Sequence, residues 1–539
     1  MRRLGFLILA LGLLLVQPGY AQEATAVAAP ATVSIDQRIN NAIAPVSDFL
    51  SSIIFYTVPV AAGTDNLATP DVNEGIAKVP LIVVWLVLGG LFFTFYLRFI
   101  SLRGFGHAVQ LVRGYYHDHS HPGEVSHFQA LATALSGTVG LGNIAGVAIA
   151  ISIGGPGAAF WMVIAGFLGM SLKFAECTLG VKYRQHNADG SVSGGAMYYL
   201  SLGLPQINPR LAPLGKVMAV LFSICCIGGA LGGGNMFQVN QAHQQVADLF
   251  GGPEGWLAHN GWAFGLVMAV MTGVVIIGGM KSIARVTDKL TPFMCLLYLV
   301  AGVVVLAVNY TQLPQALGII ISSAFHPDGS TVAGGLIGAL IAGFRRAAFS
   351  NEAGFGSAAI AHSAVKTKEP VTEGLVSLLE PFIDTIIICH MTALIIVTTG
   401  AYTLTGVDGV SMTSRAFATV MPWFPEVLAV VVFLFAYSTM ISWSYYGSRA
   451  WGYLFGASKR GLLLYNLIFC AFIVIGASMD MGKVVDFSDS MMFAMSLFNI
   501  VGLYLLARVV KADLDHYMQR LRDGHFKPRL KDVAAPHHV

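Results

Sequence analysis

The sequence contains few charged residues. Asp, Glu, Lys and Arg make up 11% of its 539 residues, whereas 55% are hydrophobic. Soluble domains carry about 25% charged residues, so most of this chain does not belong to a soluble domain. The net charge is only +3, and no basic stripe with interleaved aromatic residues is present. Nucleic acid is therefore not an expected partner, and the lipid bilayer is.

Cysteines and catalytic motifs are also scarce. The six cysteines lie in apolar runs without metal-site spacing, which indicates small core residues: Cys177, Cys225, Cys226, Cys295, Cys389 and Cys470. The sequence shows no nucleophile constellation and no phosphate-binding loop. It therefore predicts neither an enzyme nor a bound cofactor.

The first 22 residues have the pattern of a signal peptide. Arg2 and Arg3 precede an apolar run that is too short to span a bilayer, and Ala21 supplies a small residue at a cleavage site. A retained anchor is the alternative. Residues 23–78 are then a periplasmic N-terminal segment, and its first part, residues 23–32, is expected to be flexible.

Apolar runs of spanning length recur along the rest of the chain. They predict an all-α integral membrane protein with about eleven transmembrane helices: 79–101, 128–153, 158–183, 214–235, 262–280, 292–309, 332–363, 374–399, 425–448, 462–477 and 491–510.

The distribution of Lys and Arg predicts the topology. The segment 508–531 alone holds seven of them, whereas the predicted outer segments of the mature chain hold only Arg38, Lys78, Arg415 and Lys483. Cytoplasmic loops carry the excess of Lys and Arg. This places the N-terminus in the periplasm and the tail, residues 511–539, in the cytoplasm of a cell with an inner membrane.

Two predicted spans contain clusters of glycine and polar residues, at 136–143 and 349–357. Close helix packing through glycine is one explanation. However, Asn143, Asn351 and Glu352 would lie at mid-membrane, where polar groups are costly and usually functional. Unwound backbone in a membrane is tolerated where it is buried or lines a cavity. The clusters therefore predict two broken helices around a central site.

The two clusters are similar to each other, because residues 140–145 align with residues 354–359. They lie five helices apart, so the two helices cross the membrane in opposite directions. This pattern predicts an inverted repeat with a binding site at the midplane. A broken helix offers free N–H groups to a carboxylate and free carbonyls to a cation. An amino acid and a sodium ion are a natural pair of ligands for it.

The first cluster resembles the first broken helix of neurotransmitter-type sodium symporters, which share the leucine-transporter fold. More closely, the chain resembles the alanine or glycine:cation symporter family, on residues 136–146, 233–238, 349–357, 380–385 and 438–447. One departure is Leu141, where many family members have Thr. The resemblance implies an extra helix, 79–102, before two five-helix repeats, 127–310 and 332–510. It also implies sodium-coupled uptake of a small neutral amino acid, alanine or glycine.

The resemblance also implies the site residues. The substrate would be surrounded by Thr138, Gly140, Gly142, Asn143, Gln238, Phe349, Ser350, Asn351, Gly354 and Trp443. Sodium would be held by the carbonyls of Ser136 and Val139 together with Ser438 and Thr439.

Other ionisable residues lie within predicted spans. Glu380 and Asp384 are one helical turn apart and share a face; a structural or gating role near the cytoplasmic end is favoured over a proton relay. Lys173 and Glu176 are expected to pair with each other.

Arg345 and Arg346 precede the second break. An outer gate with an acidic partner and the capping of carbonyls both remain open for them. His390 is interpreted as a satisfied core histidine.

Three alternative functions remain. A proton-coupled transporter, or one for a larger amino acid such as glutamine, differs only in its ligands. An ion channel is less favoured, because the breaks lie inside full spanning helices. An intramembrane enzyme lacks its catalytic residues.

Overall fold

The computed structural model describes residues 34–60, 77–116, 123–187, 191–277, 279–325 and 335–526. The predicted signal peptide and the stretch 23–32 lie outside this part of the chain. The described residues from Ile35 onward belong to one structural unit.

Helices make up nearly all of this unit. Those of five residues or more are α1 (Ile35–Ile54), α2 (Leu81–Tyr96), α3 (Phe105–Val112), α4 (His127–Thr138), α5 (Val147–Gly154), α6 (Ala158–Lys182), α7 (Ala212–Leu231), α8 (Phe237–Leu249), α9 (Gly261–Ile276), α10 (Gly279–Val308), α11 (Leu313–Phe325), α12 (Gly335–Asn351), α13 (Ala358–His362), α14 (Pro370–Ser377), α15 (His390–Thr398), α16 (Gly409–Ala418), α17 (Phe424–Phe455), α18 (Lys459–Ser478) and α19 (Met481–Arg522).

Four segments have the wider turns of a π-helix: Gly142–Gly146, Tyr199–Gly203, Gly232–Met236 and Phe382–Cys389. Such turns are rare and often mark functional sites. Three of them directly precede α5, α8 and α15, so each lies inside a long apolar stretch rather than at its end.

Strands are few and short. β1 (Thr57–Val60) pairs antiparallel with β2 (Ala77–Pro80), with Thr57 opposite Pro80. β3 (Gln185–His186) pairs antiparallel with β4 (Val192–Ser193).

Seven helical stretches in the described residues are long and apolar enough to cross a membrane. The bent pair α4 and α5 makes an eighth. Two further apolar helices, α2 and α9, are shorter. The structure therefore confirms a multi-pass helical membrane protein.

The first predicted break lies between α4 and α5, whose axes differ by 53°. α4 begins with a capping box, in which the Ser126 hydroxyl accepts from the Gln129 N–H and the Gln129 side chain accepts from the Ser126 N–H. It ends at Thr138, because Val139 has a ψ of 88° and cannot continue the helix.

The second predicted break lies between α12 and α13. Glu352, Gly354 and Gly356 have φ values of 58°, 90° and 80°. Glycine adopts such values freely, whereas a glutamate does so only when its surroundings hold it. Both glycine clusters thus unwind the chain, as the sequence predicted.

Some boundaries differ from the apolar runs. α17 and α19 extend well beyond 425–448 and 491–510, and α11 and α16 are helices that hydropathy did not indicate. An apolar run marks only the part of a helix that contacts lipid. The helix itself can continue through polar residues of good helix propensity, such as those at the end of α19.

Candidate functional site

The first break meets α17 through a cluster of oxygen atoms. The Ser136 hydroxyl donates to the Ser438 carbonyl at 3.0 Å, and the Thr439 hydroxyl donates to the Ser136 carbonyl at 3.1 Å. All three residues are buried. The structure therefore brings together three of the four residues predicted to hold sodium, and Val139 follows directly at the end of α4.

Gly140 makes this approach possible. A Cβ atom built on it would lie 2.5 Å from Thr439 Oγ1 and 3.0 Å from Gln238 Oε1. No real Cβ tolerates the first distance, so any side chain at this position would push the broken helix away from α17.

Two backbone N–H groups of the break are held by side-chain amides. Gly140 N–H donates to Asn143 Oδ1 at 2.9 Å, and Leu141 N–H donates to Gln238 Oε1 at 3.0 Å. The Gln238 amide in turn donates to the Gly233 carbonyl at 2.8 Å. Gln238 thus connects the first break to the π-turn before α8.

Asp384 connects the two breaks. Asn143 donates to Asp384 Oδ1 at 2.7 Å, and Ser350 donates to Asp384 Oδ2 at 2.8 Å. The Thr385 hydroxyl donates to the same carboxylate at 2.7 Å and accepts from Asn351 at 3.0 Å. This carboxylate is fully buried. Sequence reasoning assigned it a role near one end of the helix, whereas it lies between the broken segments; the rare π-turn at this position carries no sequence signature.

Two aromatic side chains, Phe349 and Trp443, pack on the glycines of the π-turn before α8, and we call them the two aromatic walls. A Cβ on Gly233 would lie 3.3 Å from the Phe349 ring, and a Cβ on Gly234 would overlap the Trp443 ring. The Trp443 indole N–H donates to Glu352 Oε1 at 2.9 Å. Phe349 and Trp443 are both buried, and Glu352 anchors one of these walls to the second break.

The other predicted substrate-binding residues lie in different positions relative to the two breaks. Gly142 faces Ser350, because a Cβ on it would lie 3.3 Å from the Ser350 Cα. Thr138 directs its hydroxyl to the Ala134 carbonyl of its own helix at 3.2 Å. Gly354 does not join the group, since a Cβ on it would point at Leu86 of α2, 2.7 Å away.

A column of buried ionisable side chains lies beside these breaks. The Lys173 ammonium bonds to Glu380 at 3.0 Å, and His362 bonds to Glu380 through Nε2 and to Glu373 through Nδ1, the latter at 2.7 Å. His127 reaches the other oxygen of Glu373 at 2.5 Å. We call these five residues the ionic column. All five are buried.

The expectation that Lys173 pairs with Glu176 is wrong. Glu176 accepts from Asn499 at 2.7 Å, while Lys173 crosses to Glu380 on a neighbouring segment. Glu380 and Asp384 likewise serve different networks, although they share a face. A spacing of one turn shows which side chains leave a helix together, but not which neighbour they meet.

Three potential metal ligands meet where Cys177 lies beside the ionic column. Ligand atoms of Cys177, His362 and Glu380 lie within 4.8 Å of one another. The Lys173 ammonium already supplies the positive charge that Glu380 requires, so the arrangement fits an ion pair.

The acidic partner of the two arginines is Asp489. It accepts from Arg345 Nε at 2.6 Å and also from Arg346. The Phe55 ring lies 4.0 Å from the Arg345 guanidinium. Of the two interpretations left open, pairing with an acid is the one observed.

His390 does not fit its interpretation as a satisfied core histidine. Its Nδ1 atom has no hydrogen-bond partner in the described part of the chain.

Two unwound helices that meet at buried oxygens and backbone N–H groups can bind a small zwitterion and a hard cation. The comparison with solved structures shows the fold. The crystal structure of MhsT in complex with L-phenylalanine has a TM-score of 0.51, with 15% identity over 71% of this chain and 89% of that chain. The fold is therefore of the leucine-transporter type.

The family follows from the sequence comparison. The model of the sodium:alanine symporter family matches residues 66–532, and the chain belongs to this family. It is a membrane transporter of the sodium-coupled amino-acid symporter class, and not an enzyme.

Two curated relatives cover nearly the same region. The chain is 40% identical over 438 residues to the sodium/alanine symporter AgcS of Methanococcus maripaludis, covering 80% of this chain and 93% of the relative. It is 34% identical over 459 residues to the probable sodium/glutamine symporter GlnT of Bacillus subtilis, covering 85% of this chain and 92% of that relative.

Proposed function

We propose that the protein imports a small neutral amino acid, alanine or glycine, together with sodium by alternating access. The observation that carries this proposal is the meeting of Ser136, Ser438 and Thr439 at the first break, where a hydroxyl or carbonyl oxygen from each lies within hydrogen-bond distance of another. Family membership and the 40% identity to a sodium/alanine symporter support it.

The proposed sodium site uses these oxygens. Hard cations prefer carbonyl, hydroxyl and carboxylate oxygens over nitrogen or sulfur. The Ser136 and Val139 carbonyls would contribute from α4, and Ser438 and Thr439 would contribute from α17. Because the ligands come from two helices, a bound ion would stabilise the approach of one to the other.

The proposed substrate site lies next to it, around Asn143 and Gln238. Their amide oxygens accept from Gly140 N–H and Leu141 N–H. A substrate carboxylate would take over these two N–H groups and release the amides for the substrate ammonium.

The size of the substrate would be limited by the two aromatic walls. Phe349 and Trp443 pack against glycines 233 and 234, while Gly142 and Ser350 face each other closely. This arrangement favours alanine or glycine over leucine. Thr138 and Asn351 remain part of the proposed lining, whereas Gly354, which faces Leu86 of α2, is not included in it.

We further propose the membrane arrangement. Eleven spans result when the bent pair, the second broken helix, α2 and α9 are added to the seven long stretches. Residues 79–102 would be the extra helix, 127–310 and 332–510 the inverted repeats, and 511–539 the cytoplasmic tail. The signal peptide, 1–22, would direct the chain to the inner membrane, and residues 23–78 would be the periplasmic N-terminal segment.

Uptake of radiolabelled alanine into proteoliposomes tests the function directly. We expect uptake to require an inward sodium gradient and to collapse when potassium replaces sodium. Equal uptake driven by a proton gradient without sodium would instead support proton coupling. A Thr439→Ala variant should need more sodium for half-maximal uptake.

Glutamine is the second candidate substrate, because the chain is 34% identical to a probable sodium/glutamine symporter. Competition of labelled alanine uptake by unlabelled glycine, serine, leucine and glutamine separates the two. Stronger competition by glutamine than by alanine would reject the small-substrate proposal and leave sodium coupling intact.

A further inference from the structure

A basic cavity lies where the last long helix, α19, passes the end of α2. Its volume is about 300 Å³. Among the described residues, four cationic side chains line it, Arg98, Arg103, Lys511 and Arg522, together with one carboxylate, that of Asp515. None of the residues assigned to sodium or substrate above takes part in it.

The backbone after α2 is shaped to build one wall. Arg98 and Phe99 both have a φ of 55°, a conformation that non-glycine residues adopt rarely. The chain then turns into the short helix Ile100–Arg103, and the Arg103 guanidinium donates to the Arg98 carbonyl at 3.4 Å. This strained turn places both arginines at the cavity, and the surrounding structure must hold it there.

The charges in the cavity are not balanced by the protein. Lys511 and Asp515 pair one turn apart on α19. Arg98 and Arg522 are exposed, and neither forms an ion pair with a carboxylate among the described residues. An anion in this cavity would meet two free guanidinium groups and a third from Arg103.

The floor of the cavity and the protein surface around it are apolar. Buried Leu97, Ile100 and Leu514 line the cavity beneath the charges. Just outside it, Phe95 and Leu102 are 63% and 65% exposed, as expected of side chains that face acyl chains. The cavity thus lies at the boundary between an apolar belt and a cationic rim, where phosphate groups of lipids lie.

We propose that this cavity binds the headgroup of an anionic phospholipid. Its phosphate would be held by Arg98, Arg103 and Arg522, and its acyl chains would lie along Phe95 and Leu102. Basic pockets between transmembrane helices recognise anionic headgroups in this way. The assignment to the cytoplasmic leaflet rests on the proposed topology, whereas the class of ligand does not.

Native mass spectrometry of the purified, delipidated protein tests the proposal. Phosphatidylglycerol and phosphatidylcholine of equal chain length are titrated in parallel. We expect preferential binding of phosphatidylglycerol, reduced about tenfold or more in the double variant Arg98→Gln/Arg522→Gln. The matched control, Lys459→Gln/Arg460→Gln, also removes two positive charges, including that of exposed Arg460, outside the cavity lining, and should bind like the unmodified protein.

A second variant gives the opposite result and cannot be explained by misfolding. Asp515→Asn removes the carboxylate found among the described lining residues of the cavity and frees Lys511, so phosphatidylglycerol binding should strengthen several-fold. Equal binding of the two lipids, or undiminished binding by the double arginine variant, would overturn the proposal. Loss of lipid binding in millimolar inorganic phosphate would also overturn it and indicate a site for free phosphate.

Discussion

Replacing Gly140 with alanine tests the contact on which the proposed sodium site depends. The added methyl group would lie 2.5 Å from Thr439 Oγ1, 3.0 Å from Gln238 Oε1 and 3.4 Å from Thr439 Cβ. The Gln238 oxygen, which accepts from the Leu141 N–H, has to move by only a few tenths of an ångström. The Thr439 oxygen has to move further, and its hydrogen bond to the Ser136 carbonyl holds it in place.

The magnitude follows from this geometry. Overpacking a core by one methyl group costs about 1–3 kcal/mol, and we expect Gly140→Ala to lie within this range. In a Thr439→Ala background the 2.5 Å contact no longer exists, and the closest remaining atom is Gln238 Oε1 at 3.0 Å, which has to move by only a few tenths of an ångström. The cost of Gly140→Ala should then fall below about 1 kcal/mol, which is a coupling of about 1–2 kcal/mol between the two positions.

The assay is thermal unfolding of the unmodified protein, both single variants and the double variant in detergent without sodium. Unfolding of membrane proteins is often irreversible, so all four are heated at one rate. Ser444→Ala serves as the control background, because within the described part of the chain the Ser444 hydroxyl bonds only to the Ile441 carbonyl of its own helix, at 2.7 Å. If Gly140→Ala lowers the midpoint equally in the Thr439→Ala and Ser444→Ala backgrounds, the reasoning is refuted.

Three further predictions address the other contacts. Sodium should stabilise the unmodified protein by about 2.7 kcal/mol at 100 times its Kd. Thermal scans in sodium and in choline should show that Thr439→Ala loses most of this stabilisation; an unchanged difference between the two unfolding midpoints would reject the site. Lys173→Met should destabilise by up to about 3–5 kcal/mol, because it leaves the buried Glu380 carboxylate with His362 as its remaining partner. Lys173→Met/Glu380→Met should recover part of this, since His362 keeps its bond to Glu373; equal losses in thermal scans would contradict the ion pair. Trp443→Ala should weaken alanine by about 1–3 kcal/mol and let leucine compete for uptake, whereas unchanged selectivity would remove Trp443 from the wall.

The breaks could be predicted from sequence because they follow from local chemistry. Glycine and asparagine inside an apolar run have few structural explanations, and the backbone unwinds at both clusters. The side-chain contacts between different helices have no such signal in the sequence. Asp384 meets Asn143 and Ser350 because a π-turn rotates it between the breaks, and hydrophobic periodicity does not encode that rotation.

The same distinction explains the partner of Lys173. Its spacing to Glu176 is that of a helical pair, and in water such a pair is worth only a few tenths of a kcal/mol. Inside the protein the cost of burying a charge is far larger, so the partner is decided by which carboxylate the packing brings close. That carboxylate is Glu380, from a segment more than 200 residues away.

The strength of the contacts indicates which segments move together. The ionic column joins α4, α6, α13, α14 and the turn at Glu380 through ionisable groups that are all buried. Separating them would remove hydrogen-bond partners from the carboxylates of Glu373 and Glu380 in an apolar interior. The contact between α4 and α17 consists instead of hydrogen bonds between neutral groups, each worth about 1 kcal/mol net. We therefore infer that α4, α6, α13 and α14 stay together during transport, and that sodium acts at the neutral contact between α4 and α17, by holding these two helices together.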